Sequence, residues 1–474
     1  MPVLTSPLWS RSIPCPYRLP PTDTLTGVIY HRTCDVIIIV KLPAPFDKGE
    51  NLTGTCRLAK KRQDIQCSKN GTFFELYCNF APRIYNRTMI PRQLSSKILQ
   101  WATQFPVITV TGPRQSGKST LCKALFPHKT YINLEDLTLR HILREDPRGF
   151  LDRYPDGAIF DEIQRLPELC SYIQTRVDIS EQAGLYILTG SSQFELMQNI
   201  SQSLAGRTAI ARLLPFSFSE LYVNEPDTAP ALDELLYTGF YPRIHDIKLQ
   251  PTEALSFYVA TYLERDVRQI LNIKEWTKFD LFLRLLAGRS GQIVNIQALA
   301  NETGLSNNTL ASWIGVLEQS NIIYKLRPYY ANVGKRLIKS PKIYFLDSGL
   351  LCYLLNIYSP EVLSLHPLRG QIYESFVVAE LLKERYNQGM ADNLYFYRDQ
   401  KGLELDIIID EGTRLILGEI KSSATFNPEF LTALHKVAPI LGKPYRSILF
   451  TGSGAPIFYY KDTEVRGYKN VGSQ

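Results

Sequence analysis

A short apolar run, VITVT at 107–111, passes directly into GPRQSGKS at 112–119 and then into TLCKALF, and no other feature restricts the fold of this chain as tightly. The pattern G-x-x-x-x-G-K-[ST] calls for a strand that delivers the loop and a helix that leaves it, so that backbone N–H groups converge on a phosphate. Gly112 and Gly117 let the backbone curl, and Pro113, Arg114, Gln115, Ser116 and Thr120 complete the cradle. Lys118 is suited to the β and γ phosphates of a nucleotide, and Ser119 to Mg²⁺. The expected ligands are ATP and Mg²⁺.

The residues that follow supply the rest of such a site. Ala158, Ile159 and Phe160 bring Asp161 and Glu162 to the end of a second apolar strand. Asp161 is expected to hold Mg²⁺ with Ser119, and Glu162 to polarise the attacking water, which needs a carboxylate not committed to the metal. A third strand, LYILT, ends in Gly190, Ser191 and Ser192; Ser191 is either a contact to the γ-phosphate or water, or part of a plain serine turn. Arg207 and Arg212 are candidates for an arginine finger acting on a neighbouring subunit, and equally for structural surface arginines. Short strands (YINL, GAIFDE, LYILTG) alternating with helical segments predict an α/β class with a parallel sheet.

Charge and cysteine are unevenly spread. Residues 1–88 hold 12 Lys/Arg against 6 Asp/Glu, leaving 41 against 40 beyond them, so the formal net charge of +7 is no argument for a nucleic-acid partner. Five of the eight cysteines fall in the same first segment and none forms C-x-x-C, which argues against a zinc site. That segment shows one strand-like run, Val36–Val40, and no sustained periodicity; Met89 opens an amphipathic helix leading into the first buried strand. Met89 is therefore expected to be the physiological start, with residues 1–88 an extension of unknown role. No apolar run approaches the roughly 18 residues of a membrane helix, and a cytoplasmic protein with no membrane partner is expected.

Helical periodicity dominates after about residue 225. VNIQALANETGLSNNTLASWIGVLEQSNIIYKLRPYY reads as a winged helix: a short helix, a turn at Gly304, a helix capped by Ser306, and a wing from Ile322. The second helix has no Lys or Arg and carries Glu318, whereas Arg327, Lys335, Arg336, Lys339 and Lys342 follow it as a local basic face. Protein packing and DNA contact both stand as readings, the first favoured by the missing charge. Glu264, Arg265 and Asp266 suit a relay of nucleotide state or a surface ion pair. Residues 371–450 run helix, three strands, helix, strand. Glu419 and Lys421 lie two apart on LILGEIK and so share a face of the sheet, with Asp406 on the preceding strand and Glu374 on the first helix.

GPRQSGKST, AIFDEIQRLPEL, ILTGSSQ, SLAGRT and LPFSFSEL, with TGFYPRI, YLERDV and GQIYESFVVAELL, resemble the AAA-type ATPases of bacteria and archaea that carry an uncharacterised C-terminal domain. The resemblance covers nearly all of residues 89–460. It implies a P-loop AAA-type ATPase domain at 89–225, a helical and winged-helix region at 226–360, and at 361–474 an αβββαβ domain similar to restriction endonucleases. There Glu374, Asp406, Glu419 and Lys421 match the constellation of a metal-dependent PD-(D/E)XK nuclease. The expected function is an ATPase driving a nucleic-acid transaction, with DNA cleavage as one role of the C-terminal domain. The alternative is a nucleotide-dependent switch or assembly factor acting on protein partners, with a non-catalytic C-terminal domain; the partners expected are ATP, DNA, and either further copies of the chain or another protein.

Overall fold

The computed structural model describes residues 89–472 except 181, 192–201, 223–225, 264–275 and 330–339, together with four strands nearer the N-terminus. The chain divides into two compact units, Met1–Met89 and Ile90–Gln474. In the first, β1 (Leu25–His31), β2 (Val36–Leu42), β3 (Thr55–Leu58) and β4 (Asp64–Gln66) form an antiparallel sheet in sequential order. Only β2 was apparent as a continuous apolar run; the three others are too short or too polar to show a period.

The second unit begins with α1 (Ser95–Ala102). Five parallel strands follow: β5 (Val107–Thr111), β6 (Thr130–Asn133), β7 (Ala158–Asp161), β8 (Tyr186–Gly190) and β9 (Thr208–Arg212), in the order β6-β7-β8-β5-β9. Alternate residues leave opposite faces, as a pleat requires. Ala158, Phe160, Tyr186 and Leu188 pack into one apolar layer, and Ile159, Ile187, Ile108 and Val110 into the other. With both faces covered, β5 and β8 are buried along their whole length. α2 (Lys118–Leu125) starts at the loop that ends β5.

Beyond α3 (Phe218–Leu221) the chain builds a helical layer with α4 (Trp276–Ala287), α5 (Ile296–Thr303) and α6 (Asn307–Gln319). Gly304 closes α5 in the left-handed region, and Ser306 Oγ caps α6 by accepting the Thr309 N–H at 3.1 Å. Three strands come next to these helices: β10 (Gln292–Ile293), β11 (Ile323–Pro328) and β12 (Lys342–Phe345), with β12 antiparallel to both others.

The same sheet continues. β11 pairs in parallel with β13 (Leu394–Arg398), which follows the long helix α7 (Arg369–Asn387). β14 (Glu404–Asp410) and β15 (Leu415–Lys421) extend it antiparallel, and after α8 (Thr432–Leu441), β16 (Tyr445–Thr451) joins β15 in parallel. β17 (Phe458–Tyr460) and β18 (Thr463–Gly467) complete a nine-stranded sheet ordered β10-β12-β11-β13-β14-β15-β16-β18-β17. One apolar core runs from Leu214 to Val471. Among the described residues no helix is long and apolar enough to cross a membrane.

Candidate functional site

Gly112 leaves β5 at φ +153, where a Cβ would stand 2.0 Å from the Leu213 carbonyl oxygen. Gly117 at φ +92 turns the chain into α2, whose N-terminal N–H groups and partial positive charge face the loop. Only glycine meets both demands cheaply. Within the loop, Ser116 Oγ is buried without a hydrogen-bond partner. The Lys118 ammonium folds back to donate to the carbonyls of Gly112 (3.0 Å) and Pro113 (2.9 Å). Arg114 lies 3.9 Å from Glu135, at the rim.

Ser119 and Asp161 meet. Ser119 Oγ donates to Asp161 Oδ2 at 2.8 Å, and Tyr131 OH and Thr189 Oγ1 donate to the same carboxylate. Asp161 is thus held by hydroxyls from α2, β6 and β8. Burial, then the neighbouring Asp161, raises the Tyr131 phenol and pushes the Cys122 thiol up to about 12, so the Tyr131 phenol stays a protonated donor to Asp161 at neutral pH. Glu162 follows in the left-handed region at φ +57, a costly conformation for a non-glycine residue. Its carboxylate accepts from Gln164 Nε2 and from Ser191 Oγ at 3.2 Å. Ser191, the residue after the strand lying between β5 and β7, therefore faces the acid expected to activate water. Ser192 lies outside the described residues.

Three supporting residues escaped the sequence reading, Tyr131, Thr189 and Gln164, and Arg92 is a fourth. Arg92 is 7% exposed and donates to the carbonyls of Ser116 (2.8 Å) and Leu214 (2.6 Å) and to Glu220 Oε1 (3.1 Å). It fixes the loop from below. The polar ends of otherwise apolar strands were the available signal for Tyr131 and Thr189; nothing local marked Arg92.

The two arginine-finger candidates have partners within the chain. Arg207 pairs with Asp178 through Nε and Nη2 (2.8 Å) on an exposed surface. Arg212 Nη1 donates to Tyr386 OH at 2.8 Å, its guanidinium 5.1 Å from that ring's centre.

The C-terminal residues also draw together. Ile407 pairs with Gly418 across β14 and β15, which sets Asp406 opposite Glu419. Lys421 Nζ is 2.6 Å from Glu419 Oε1 and 3.6 Å from Asp406 Oδ2, and the latter accepts the Ile420 N–H at 2.9 Å. Glu419 Oε2 is buried without a partner. Burial, with Asp406 adding to it, pushes the Glu419 carboxyl up to about 7, while Asp406 and Glu419 raise Lys421 against the opposing effect of its burial. Glu374 has direct partners of its own: its Oε1 accepts from Tyr344 OH (2.6 Å) and Lys342 Nζ (3.2 Å), while its charge still acts on Glu419 and Lys421 and is itself opposed by Asp406. Among the described residues no group of three His, Cys, Asp or Glu is disposed to hold a metal ion.

The expected basic face after α6 needs correction at Lys342, which is 3% exposed and pairs with Glu374 and, at 2.5 Å, with Glu404. Sheet pairing turned it inward. Glu318 on α6 pairs with Lys325 at 2.7 Å. Lys335, Arg336, Lys339, Glu264, Arg265 and Asp266 lie outside the described residues.

A glycine-rich loop between β5 and α2, a carboxylate pair at the end of β7, and a parallel sheet with β8 set between those strands match the core of a P-loop ATPase. Residues 104–222 match the family described as AAA domain, and residues 229–361 and 369–465 match two families described as domains of unknown function (DUF8612 and DUF4143). The uncharacterised protein Rv2008c of Mycobacterium tuberculosis is 29% identical over 347 residues, covering 70% of this chain and 74% of its own. An uncharacterised protein of Haemophilus influenzae is 24% identical over 426 residues, 81% of this chain and 98% of its own. Among solved structures, the Walker-type ATPase of Pyrococcus abyssi aligns with 55% of this chain and 94% of its own, at 17% identity and a TM-score of 0.38.

Proposed function

We propose that this chain binds ATP with Mg²⁺ in the P-loop, hydrolyses it, and uses the cycle to drive a nucleic-acid transaction. The observation that carries the first part is the 2.8 Å contact between Ser119 Oγ and Asp161 Oδ2, which joins two elements 42 residues apart at the point a phosphate-bound cation would occupy. The unpartnered Ser116 Oγ and the inward-turned Lys118 fit the same ligand. Bound Mg²⁺ would neutralise charge developing on the phosphate oxygens. Lys118 exchanges its carbonyl acceptors for phosphate oxygens, the loop N–H groups hold the phosphates, and Glu162 takes a proton from the attacking water while Gln164 and Ser191 orient its carboxylate. Arg207 is kept as the residue acting on a neighbouring subunit's nucleotide, which requires opening its pair with Asp178.

For the partner, we read α4–α6 with β10–β12 as a winged helix, and α7 with β13–β16 as a PD-(D/E)XK nuclease-like core in which Asp406 and Glu419 hold a divalent cation and Lys421 stabilises charge at the scissile phosphate. The unsatisfied Glu419 Oε2 supports a cation there. A second reading, a switch acting on protein partners, is favoured by α6, which lacks any Lys or Arg and whose Glu318 is paired. Turnover is measured with and without double-stranded DNA, single-stranded DNA and RNA, beside plasmid cleavage in Mg²⁺ or Mn²⁺ by wild type, Asp406→Ala and Lys421→Ala. Stimulation by one nucleic acid and cleavage lost in both variants are expected. Turnover indifferent to all three, with no cleavage, would favour the switch.

A further inference from the structure

Lys342 is a lysine in an unusual place. It sits on β12, outside the α7/β13–β16 assembly, yet its ammonium lies 3.2 Å from Glu374 Oε1 and 2.5 Å from Glu404 Oε1, with 4% of its side chain exposed. Two rigid connections put it there: β12 is tied to β11 by four residue pairs, and β11 to β13 by a parallel ladder at Arg327 and Pro328. Tyr344, two residues on and on the same face of β12, donates to the same Glu374 oxygen at 2.6 Å. The other oxygen of Glu374 is packed against Gly291, where a Cβ would stand 3.2 Å from it.

By direct contact the acids fall into two sets, which remain within reach of each other's charge. Glu374 and Glu404 share Lys342, and Arg398 adds a second cation to Glu404 at 3.2 Å. Asp406 and Glu419 share Lys421, and Glu419 alone keeps a buried oxygen with no partner. Burying carboxylates is unfavourable unless a cation or hydrogen bonds compensate. Lys342 supplies that compensation permanently on one side, and the other side is left short.

Building on the metal-site reading above, we infer that Lys342 is a fixed internal cation of the C-terminal site: it holds Glu374 out of the metal shell, so that the site takes one divalent cation, through Glu419 and Asp406. Lys342 is a positioning residue, since it is buried and acts through Glu374. Its charge also opposes any cation arriving nearby, because its electrostatic field reaches Asp406 as well as Glu374 and Glu404.

The test is Mn²⁺ binding to the full chain without nucleotide, followed by the electron paramagnetic resonance signal of free Mn²⁺. Wild type, Glu419→Gln, Glu374→Gln and Lys342→Gln are compared. Glu419→Gln is expected to lose one Mn²⁺ equivalent, whereas Glu374→Gln keeps it with an affinity within about threefold of wild type. Lys342→Gln, which removes the competing charge at nearly constant volume, is expected to tighten Mn²⁺ several-fold or to admit a second equivalent. Loss of the site in Glu374→Gln as complete as in Glu419→Gln makes Glu374 a ligand and overturns the inference while leaving the metal site standing. Unchanged or weaker binding in Lys342→Gln overturns it too. Binding that Glu419→Gln does not affect removes the metal site itself, and the inference with it.

Discussion

Glu419 has one oxygen tied to Lys421 and the other buried without a partner, and its carboxyl is pushed up to about 7 by burial first and by Asp406 second. A carboxyl raised in the folded state binds a proton that the unfolded chain has already released. The stability it contributes is therefore complete below the ordinary carboxylate range and is lost as pH rises through about 7. In metal-free buffer, unfolding free energies of wild type and Glu419→Gln should diverge from pH 5 to pH 8 in favour of the variant. A constant difference would mean that Glu419 titrates normally. The E-x-K spacing made this residue visible in the sequence, because the two-residue period of a strand is local. Lys342 was not visible as a buried group: it stands among Arg327, Lys335, Arg336 and Lys339, where a lysine ordinarily belongs to a solvated face, and pairings with Glu374 and Glu404 turn it inward.

At the scale of elements, the turn between β5 and α2 tolerates little. Gly112→Ala would drive a Cβ to 2.0 Å from a backbone oxygen at a φ that side chains avoid. A loss of at least about 1–3 kcal/mol is expected in denaturant unfolding, with nucleotide affinity falling as well. Wild-type stability in this variant would show that the loop shifts freely. Four of the five strands around this turn, β5 to β8, were legible as short apolar runs whose type the P-loop fixed; β9 was not read, since TAIAR alternates buried with half-buried positions and ends in Arg212. Their order was not, since placing β8 between β5 and β7 depends on contacts between distant segments. β17 and β18 went unread for a related reason: FYY and TEVRG carry no clear period, and Glu464 and Arg466 are buried by pairing with each other and with Arg446.

Across the whole molecule, the ATPase fold and the C-terminal sheet meet at a buried ion pair. Glu380 and Lys383 on α7 are 2.7 Å apart; Glu380 Oε2 accepts the Phe218 N–H at the start of α3, and Lys383 Nζ donates to the Phe216 carbonyl, each at 2.8 Å. Phe216 also stacks under Arg92, the residue that holds the P-loop, and α7 carries Glu374 further toward its start. Glu380→Ala strands Lys383 as an uncompensated buried charge and is expected to cost about 3–5 kcal/mol. Probes in the P-loop sheet and in β13–β16 should report this loss together, as one unfolding transition of the unit Ile90–Gln474. Separate transitions would mean that the two parts fold independently. The central claim, a Mg²⁺-dependent ATP-hydrolysing site built by Lys118, Ser119, Asp161 and Glu162, is tested most directly by measuring ATP affinity and turnover side by side in wild type, Lys118→Ala and Glu162→Gln. The account predicts Mg²⁺-dependent turnover in wild type, loss of binding in Lys118→Ala, and near-normal binding with turnover reduced at least a hundredfold in Glu162→Gln. Undiminished turnover in Glu162→Gln, or ATP binding unaffected by Lys118→Ala, would contradict it.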